Sequence, residues 1–347
     1  MNPLPLQRGI LLHNNWYVAA YSSEVVNKPL GRRICGRRIV LYRTAHGVAV
    51  ALEDRCSHRG LPLSRGECEG DRIRCLYHGM EFDPTGDCVR VPGQSHIPNH
   101  AGIRSYPLVE RDDLVWIWTG DPARADPERI PPWKYHSDPS WVHTKGFLAV
   151  KANWQLIADN LLSLNHLQYV HRSTIGSPAR QADHAQVETQ RVGDRVHMAH
   201  WVPHVDPPPL HQTVCGFKGK VDRWQECEFF PGFLLFWSGS VDAGTGAYEG
   251  QREGGFQIRH FHATTPESEL TSHYFFTAAR NFRLDDEEIT ETMHRSMLFT
   301  FNEDLVVLEA QQASLLEASD VRFVNRKDDA PGILARRLVD ELLAREP

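Results

Sequence analysis

Two short motifs, each pairing one cysteine with one histidine, constrain this chain more than any other feature of its sequence. Cys56 and His58 are separated by one residue, and Cys75 and His78 by two residues. Sixteen residues lie between the two motifs. Two thiols and two imidazoles at such short spacings predict a metal site with four protein ligands.

The mixed order of ligands within each motif indicates the kind of metal centre. Structural zinc sites usually place two cysteines in one loop and two histidines in another. A Rieske [2Fe-2S] cluster has two cysteines on one iron and two histidines on the other, and each of its two loops supplies one ligand of each kind. The sequence therefore favours a Rieske cluster, which is an electron relay, over zinc. Two ordinary cysteines and two buried histidines are a third, less specific interpretation.

The length and composition of the chain indicate two domains of ordinary globular character. Its 347 residues exceed one typical domain, and 41% hydrophobic with 24% charged residues is a common balance. A formal net charge of −6 argues against a nucleic-acid partner, which would require a basic face. No apolar run approaches the roughly 20 residues of a spanning helix, so we expect no membrane association.

Cysteine usage predicts a reducing compartment. The chain has seven cysteines, an odd number, and two of them are candidate cluster ligands. The first twenty residues contain Ile10, Leu11 and Leu12 but lack the apolar core of a signal peptide. We therefore expect a cytoplasmic protein without a disulfide framework. The other cysteines are expected to be buried free thiols, and they are Cys35, Cys68, Cys88, Cys215 and Cys227.

The first third of the chain predicts a small β-domain. From Asn15 to Pro122, short strands alternate with turns rich in Gly, Pro and Asp, and both Cys/His motifs fall in the turns. A polar connector with several prolines follows Pro122. We predict a domain at 13–122 and a second domain at 123–347.

A second candidate metal site lies in the second domain. Residues 153–171 have apolar residues at helical spacing and carry His166 and His171. His166 and His171 are five residues apart, which on an ideal helix separates their side chains by about 140° around the axis. Two ligands for one metal therefore require the helix to loosen or end between them. A carboxylate from the last long helix, which is expected to begin near Asp285, would complete the facial triad of an O2-binding Fe(II) site. Asp304 and Glu303 are both candidates, and core histidines without a metal are the alternative.

Several further segments resemble one family, the oxygenase components of Rieske non-haem iron oxygenases. Within it, the chain is similar to the group of vanillate O-demethylase, dicamba O-demethylase and toluenesulfonate methyl-monooxygenase. The segments that carry the resemblance are NWYVAA at 15–20, VERD at 109–112, WIWTGDP at 116–122, SHYFF at 272–276 and ARNF at 279–282.

The resemblance implies an α+β fold, with an N-terminal all-β Rieske domain and a C-terminal helix-grip, START-like catalytic domain of antiparallel sheet and helices. It implies Cys56, His58, Cys75 and His78 as cluster ligands. It also implies His166, His171 and Asp304 as ligands of a mononuclear Fe(II), which favours Asp304 over Glu303, and it implies a homotrimer.

One position departs from the family pattern. The family usually has an Asp three residues before the first iron-binding histidine, where it bridges to a cluster histidine of the neighbouring subunit, and this chain has Ser163 there. We expect Ser163, with a water or with Asn160, to maintain a weaker link. Asp159 lies seven residues before His166, or about 10 Å along a helix axis, too far to replace that Asp directly.

The implied activity is that of a terminal oxygenase, which uses O2 and electrons to oxidise a methyl or methoxy group of an aromatic acid. The chain has no flavin, nicotinamide or plant-type ferredoxin motif, so the electrons are expected from a separate NAD(P)H-dependent reductase of the flavin and ferredoxin type. Ring cis-dihydroxylation is the first alternative. A Rieske electron-transfer protein without oxygenase activity is the second.

Substrate contacts are the least determined part of the sequence. Phe233, Leu235, Phe236 and Trp237 are candidate walls of an apolar pocket, although such residues are more often ordinary core. His262 resembles a substrate-contacting position of the dicamba enzyme. Arg295, on the helix that carries Asp304, is a candidate partner for a carboxylate or sulfonate.

Overall fold

The structure is a computed structural model that describes residues 9–176, 184–317 and 323–346. Its internal contacts divide the chain into two compact units. The N-terminal unit contains residues 11–133 together with 265–269, and the remaining described residues form the C-terminal unit. The predicted connector thus groups with the N-terminal unit, and the boundary after residue 122 stays a prediction.

The N-terminal unit consists of three small antiparallel sheets with strand orders β1-β10-β9, β2-β3-β4 and β5-β6-β7-β8. Strand β3 shows how its core is built, because alternate side chains of a strand point to opposite faces. Ile39 and Leu41 pack into one buried cluster, whereas Val40 and Tyr42 pack into another that also contains Cys56 and Cys75. The strands are β1 Trp16–Tyr21, β2 Leu30–Ile34, β3 Arg37–Arg43, β4 Ala49–Glu53, β5 Glu67–Glu69, β6 Arg72–Arg74, β7 Glu81–Phe82, β8 Cys88–Arg90, β9 Leu108–Arg111 and β10 Leu114–Trp118.

The C-terminal unit contains one seven-stranded sheet and the long helices. The strand order is β11-β17-β16-β15-β14-β13-β12. The strands are β11 Val142–Val150, β12 Gln186–Val192, β13 Arg195–Val205, β14 Val221–Phe230, β15 Phe233–Asp242, β16 Phe256–Pro266 and β17 Ser272–Arg280. The helices are α1 Trp154–Leu162, α2 Leu167–Val170, α3 Pro209–Cys215, α4 Glu287–Glu317 and α5 Ala330–Leu343.

One continuous core joins this sheet to its helices. Trp154 from α1, Phe276 from β17, Phe301 from α4 and Leu338 from α5 are buried in the same cluster. Helix α4 begins after Asp286, whose carboxylate accepts a hydrogen bond from the Ile289 N–H. The cap is therefore one residue later than the predicted start near Asp285. The predicted α+β fold is confirmed.

The prediction of one helix through 153–171 is wrong in its extent. Helix α1 begins at the Asn153 cap, whose side chain accepts from the N–H groups of Gln155 and Leu156, and it ends at Leu162. Ser163 has φ −123° and ψ 82°, which leaves the helical region. A 3₁₀ turn at Leu164–His166 and the short α2 follow. The chain thus leaves the helix before His166, and α2 ends at Val170, between the two histidines, as two ligands for one metal require.

None of the described helices is both long and apolar enough to cross a membrane. All seven cysteines are free thiols, but Cys68 and Cys215 are only partly buried, which corrects the expectation that all five non-ligand cysteines are buried.

Candidate metal centres and substrate cavity

The two Cys/His motifs lie in loops with matching backbone hydrogen bonds. In the first loop the Cys56 N–H donates to the Leu61 carbonyl at 2.9 Å, and the Gly60 N–H donates to the Cys56 carbonyl at 2.9 Å. In the second loop the Cys75 N–H donates to the Met80 carbonyl at 2.8 Å, and the Gly79 N–H donates to the Cys75 carbonyl at 3.0 Å. Gly60 and Gly79 have φ of 75° and 73°, a region that glycine adopts without strain. The sequence thus builds the same tight turn twice.

The thiols and the imidazoles of these loops differ in burial. Cys56 and Cys75 are buried, whereas His58 and His78 are exposed, and their ring centroids lie 4.6 Å apart. Burial raises the pKa of the Cys56 thiol to about 11, although backbone hydrogen bonds from His58 and Arg59 lower it, and the adjacent Cys75 raises it further. A bound iron would keep such a thiol deprotonated. Exposed imidazoles place the histidine side of a cluster at the protein surface.

The arrangement of these four ligands differs from that of a zinc site. A tetrahedral zinc ion brings its four ligand atoms close to one another. Within the described ranges, His166, His171 and Asp304 are the one group of three or more His, Cys, Asp or Glu whose ligand atoms all lie within 4.8 Å of one another. The four side chains of the two loops form no such group, which agrees with ligands shared between two irons.

The group of His166, His171 and Asp304 has the donors and geometry of a mononuclear iron site. Asp304 Oδ1 lies 3.1 Å from His171 Nε2 and 3.5 Å from His166 Nε2. The two imidazole nitrogens and the carboxylate oxygen therefore converge on one point. Two His and one carboxylate form the facial triad of non-haem Fe(II) enzymes, which leaves positions open for O2. Of the two candidate carboxylates, Asp304 belongs to this group and Glu303 does not.

Each triad residue is oriented by a neighbour. His166 Nδ1 lies 2.6 Å from the Ser163 carbonyl, and His171 Nδ1 lies 2.9 Å from Glu303 Oε2. Because these acceptors bind the Nδ1 proton, both Nε2 atoms are left as lone-pair donors toward a metal. Asn160 Nδ2 donates to Asp304 Oδ1 at 3.0 Å. Glu303, the competing candidate, thus supports His171 and lies outside the triad.

The interrupted helix explains how Ser163 contacts His166. In a continuous helix the Ser163 carbonyl would accept from the Leu167 N–H, four residues later. The Leu167 N–H bonds instead to the Leu164 carbonyl, which releases the carbonyl of Ser163 for the imidazole. The contact between Ser163 and His166 is therefore made by the main chain, and the expected hydroxyl contact is not the one present.

The triad residues also shift one another's protonation. Burial raises the pKa of Asp304, but hydrogen bonds and charges of His166 and His171 outweigh it and hold that pKa well below its usual value. Burial lowers the pKa of His171, but the hydrogen bonds and charges of Asp304 and Glu303 outweigh it and raise the net pKa. Asp304 is thus a carboxylate, the form that ligates iron.

A cavity in the C-terminal unit contains the triad in its wall. Its wall is formed by strands β14 to β16 together with residues of the helices and of the turn around the triad. Much of its surface is apolar and comes from Leu161, Leu164, Phe236, Ile258 and Phe301. The triad therefore faces a mostly apolar space.

Comparison with known proteins places this arrangement in a family. The Rieske [2Fe-2S] domain family matches residues 15–107, and the vanillate O-demethylase oxygenase C-terminal domain family matches residues 150–345. A putative toluene-4-sulfonate monooxygenase iron-sulfur subunit of Comamonas testosteroni is 44% identical over 97% of this chain and 98% of its own. The chain belongs to the Rieske non-haem iron oxygenases of the vanillate O-demethylase group.

Other relatives agree in sequence and in structure. The vanillate O-demethylase oxygenase subunit of Pseudomonas sp. (strain HR199 / DSM 7063) is 38% identical over 96% of this chain and 95% of its own. The chain in the crystal structure of dicamba monooxygenase bound to 3,6-dichlorosalicylic acid has 35% sequence identity to this chain. The match covers 95% of this chain and 97% of that chain, with a TM-score of 0.89. The predicted resemblance is confirmed. The chain is the terminal oxygenase component of a Rieske system, and as such it receives electrons from a separate reductase.

The family defines the cofactors of this oxygenase component as a Rieske [2Fe-2S] cluster and a mononuclear non-haem iron. The donors described above fit both groups. The match over 150–345 also excludes the alternative of an electron-transfer protein that has only the Rieske domain.

The predicted substrate contacts divide into two sets. His262 and Phe236 line the cavity of the oxygenase. Leu235 and Trp237 lie on the other face of β15, since side chains alternate along a strand, and Trp237 borders a separate groove beside Glu226 and Glu228. Arg295 is exposed and pairs with Glu291 at 3.3 Å on the outside of α4. Leu235, Trp237 and Arg295 are therefore not among the residues that line this cavity, and neither is Phe233.

Polar cavity residues on strands β14 to β16 were missed by the sequence analysis. Arg223 and Gln225 from β14, Ser238 from β15 and His260 from β16 all line the cavity. Their signal is the i, i+2 alternation, which places 223 and 225 on one side of β14 and 236 and 238 on one side of β15, and the strand pairing puts both on the same face of the sheet. Aromatic or apolar character alone therefore does not identify cavity residues, whereas the two-residue period of a strand shows which side chains share the cavity face.

Proposed function

We propose that this oxygenase oxidises a methyl or methoxy group of a small aromatic acid. The main support is the combination of the His166, His171 and Asp304 triad with an adjoining, mostly apolar cavity. Relatives named for toluene-4-sulfonate, vanillate and dicamba support the same substrate class. Each of these compounds is an aromatic acid with a methyl or methoxy group.

The overall reaction balances with one O2, two electrons and two protons. A methyl group gives a hydroxymethyl product and one water. A methoxy group gives a hemiacetal that releases formaldehyde and leaves a phenol, again with one water. When bound, the iron would supply O2 activation, and the cluster would deliver electrons one at a time.

The proposed roles of the chain's residues follow from their contacts. Cys56, His58, Cys75 and His78 hold the cluster, and His166, His171 and Asp304 hold the iron. The Ser163 carbonyl and Glu303 fix the two imidazoles with Nε2 toward the iron, and Asn160 orients the Asp304 carboxylate. The apolar walls exclude water from the reacting group, which strengthens the electrostatic interactions inside.

His262 is proposed to position the substrate as a neutral group. Burial lowers its pKa to about 3, although the charge of Asp304 raises it, so the ring is uncharged at neutral pH. Its Nδ1 lies 2.8 Å from the Tyr274 hydroxyl. The Nε2 atom is therefore the one that can contact a substrate.

We propose three further properties, of which the first two follow from the family resemblance and the third from the cysteine usage. The oxygenase forms a homotrimer in which the cluster of one subunit serves the iron of its neighbour, the reductase is of the flavin and ferredoxin type, and the location is cytoplasmic.

At the family's bridging position, Ser163 provides a weaker link, and its carbonyl contact to His166 Nδ1 supports a role in holding that ring. The proposed domains are 13–122 and 123–347.

A turnover assay tests the proposed function. The purified holoenzyme is supplied with NADH and a surrogate reductase and is offered 4-methyl- and methoxy-substituted benzoates and benzenesulfonates. We expect formaldehyde from the methoxy compounds or a hydroxymethyl product from the methyl compounds, in step with NADH oxidation. A cis-diol as the main product would move the oxygenase to the ring dioxygenases, and a reducible cluster with no product from any compound would contradict the proposal.

A further inference from the structure

A buried arginine lies in the wall of the substrate cavity. Arg223, in the middle of β14, has only 4% of its surface exposed and lines the same cavity as the triad. Burial lowers its pKa to about 10, so the side chain remains a cation at neutral pH. A buried charge is costly unless an opposite charge or hydrogen-bond acceptors compensate it. An anionic ligand in the cavity would add such compensation.

The strand register places Arg223 and the iron at opposite ends of the cavity. Arg223 pairs with Ser240, which pairs with Phe256, whereas Phe229 pairs with Leu234, which pairs with His262. Six residues of β14 separate these two rows, or about 20 Å of strand. Side chains from both rows, including Arg223 and His262, line the same cavity.

The His262 row belongs to the iron end. The ring of His262 lies 5.6 Å from that of Phe301, and Phe301 precedes Asp304 by about one turn of α4. Asp304 is also the one acidic side chain among the described residues of the cavity wall. The positive charge of Arg223 therefore lies away from the carboxylate of the triad.

Polar atoms without hydrogen-bond partners add independent evidence for a polar guest. Gln225 Oε1, His260 Nδ1 and Thr300 Oγ1 have no partner within the described part of the chain, and all three residues line this cavity. They are 4%, 8% and 0% exposed. Buried polar groups are normally paired, so unpaired ones in a cavity wall indicate a ligand or waters that supply the missing bonds. Gln225, two residues from Arg223, provides an amide on the same strand face.

We propose that Arg223 binds the carboxylate or sulfonate of the substrate and so holds the ring with its methyl or methoxy group toward the iron end. This inference deepens the proposed function and rests on it. Because the anchor and the triad lie at opposite ends, a group para to the acid is oriented toward the iron, whereas a group ortho to the acid remains near Arg223. A planar guanidinium suits both anions, since it can donate two parallel hydrogen bonds to either.

Ligand binding to the holoenzyme tests the anchor without turnover. Isothermal titration under anaerobic conditions compares 4-methylbenzenesulfonate with neutral 4-methylbenzenesulfonamide, and 4-methylbenzoate with 4-methylbenzamide. We expect the wild type to bind each anion more tightly than its amide. Arg223→Gln should raise the Kd of the anions about 10- to 100-fold, as loss of a charged hydrogen bond does, and should leave the Kd of the amides nearly unchanged.

Two further variants control for folding and for general charge effects. Arg223→Lys keeps the cation but loses the planar fork, so it should retain a reduced preference for the anions. Arg195→Gln removes an arginine of the neighbouring strand β13, where Arg195 is exposed and pairs with Glu228 at 3.4 Å, and it should bind all four probes as the wild type does. Iron content and the thermal unfolding midpoint show whether each variant is folded.

The possible failures are distinguishable. Equal binding of anion and amide by the wild type, no binding of any probe, or an unchanged anion preference in Arg223→Gln would each overturn the anchor. Arg223-dependent binding of the anions without any oxidised product in the turnover assay would support the anchor and contradict the proposed oxidation. A wild type that oxidises 2-methylbenzoate as fast as 4-methylbenzoate would overturn the para orientation.

Discussion

At the scale of single residues, the iron site depends on three side chains and on the groups that orient them. Asp304 is the residue on which both imidazoles converge, because its Oδ1 lies near both Nε2 atoms. It is also buried among aromatic and apolar side chains, where water could not replace a missing ligand well. Its removal should therefore affect the mononuclear iron and leave the cluster intact.

Asp304→Ala is expected to lose the mononuclear iron. Iron analysis should fall from about three to about two atoms per chain, since the cluster holds two. The visible absorption of the cluster should not change. Glu309→Gln on the same helix is the control, because Glu309 only accepts a hydrogen bond from the exposed Lys151 N–H. Loss of cluster absorption together with the iron would indicate a folding defect and contradict the assignment.

Glu303→Gln tests the orientation of His171. The Gln amide keeps an oxygen that can accept from His171 Nδ1 but removes the charge that raises the basicity of the imidazole. We expect iron to bind about 10- to 100-fold more weakly, as is common for such partners of metal ligands. Competition with a chelator of known affinity measures this change. An affinity equal to that of wild type would show that Glu303 has no part in holding the iron.

Ser163→Asp tests the family's bridging position. The new carboxylate would restore the usual residue, while the carbonyl contact to His166 is retained because it is a main-chain contact. The single-turnover rate of electron transfer from the reduced cluster is expected to remain the same or to rise. Ser163→Ala is the matched control and should bind iron as the wild type does. A variant that folds and holds both metals, yet transfers electrons far more slowly, would contradict the proposed role.

At the scale of secondary structure elements, the cavity is formed by the face that β14, β15 and β16 share. Gly239 lies in the middle of β15, where an added Cβ would come within 2.2 Å of the Trp224 ring and 2.3 Å of the Phe256 carbonyl. The Trp224 ring is buried and the Phe256 carbonyl belongs to the sheet, so neither can easily move away from an added methyl group. The close approach of these strands therefore requires glycine at this position.

Gly239→Ala is expected to destabilise the C-terminal unit by about 1–3 kcal/mol, the usual cost of overpacking. The thermal unfolding midpoint should fall accordingly. Gly219→Ala is the control, since no atom lies within 4 Å of its added Cβ, and it should change stability by less than about 0.5 kcal/mol. Equal midpoints for the two variants would show that β15 can relax around the methyl group.

Elements also mark the limit of what the sequence could predict. The helical spacing of 153–171 correctly indicated helix α1, but local propensity did not show that the chain leaves the helix at Ser163. That interruption is stabilised by the bond between His166 Nδ1 and the Ser163 carbonyl, a contact that no residue spacing encodes. For the same reason, the competition between Glu303 and Asp304 could be decided only by the family pattern and by the direction in which α4 presents each carboxylate.

The metal motifs were more predictable than the cavity. Ligand types and short spacings determine a Rieske site almost completely, because both loops are local turns with a required glycine. The cavity is assembled from three strands and four helices, most of which are distant in sequence. Arg223 and Arg295 are both arginines of the second domain, and only the structure shows that Arg223 lines the cavity whereas Arg295 is exposed on α4.

At the scale of the whole molecule, the chain divides its chemistry between two units. The N-terminal unit carries the four cluster ligands, and the C-terminal unit carries the triad and the cavity. One-electron delivery and O2 chemistry are therefore supplied by separate parts of the fold. The account requires that both act in one turnover, with one oxygen atom retained in the product and the other released as water.

Product analysis under 18O2 shows whether both units act in one turnover. The holoenzyme, a reductase and NADH are supplied with 4-methylbenzenesulfonate and 4-methylbenzoate, and the products are analysed by mass spectrometry. The account predicts a hydroxymethyl product with one 18O atom and the consumption of one NADH per product. A diol with two 18O atoms, or a hydroxymethyl product whose oxygen comes from water, would contradict it.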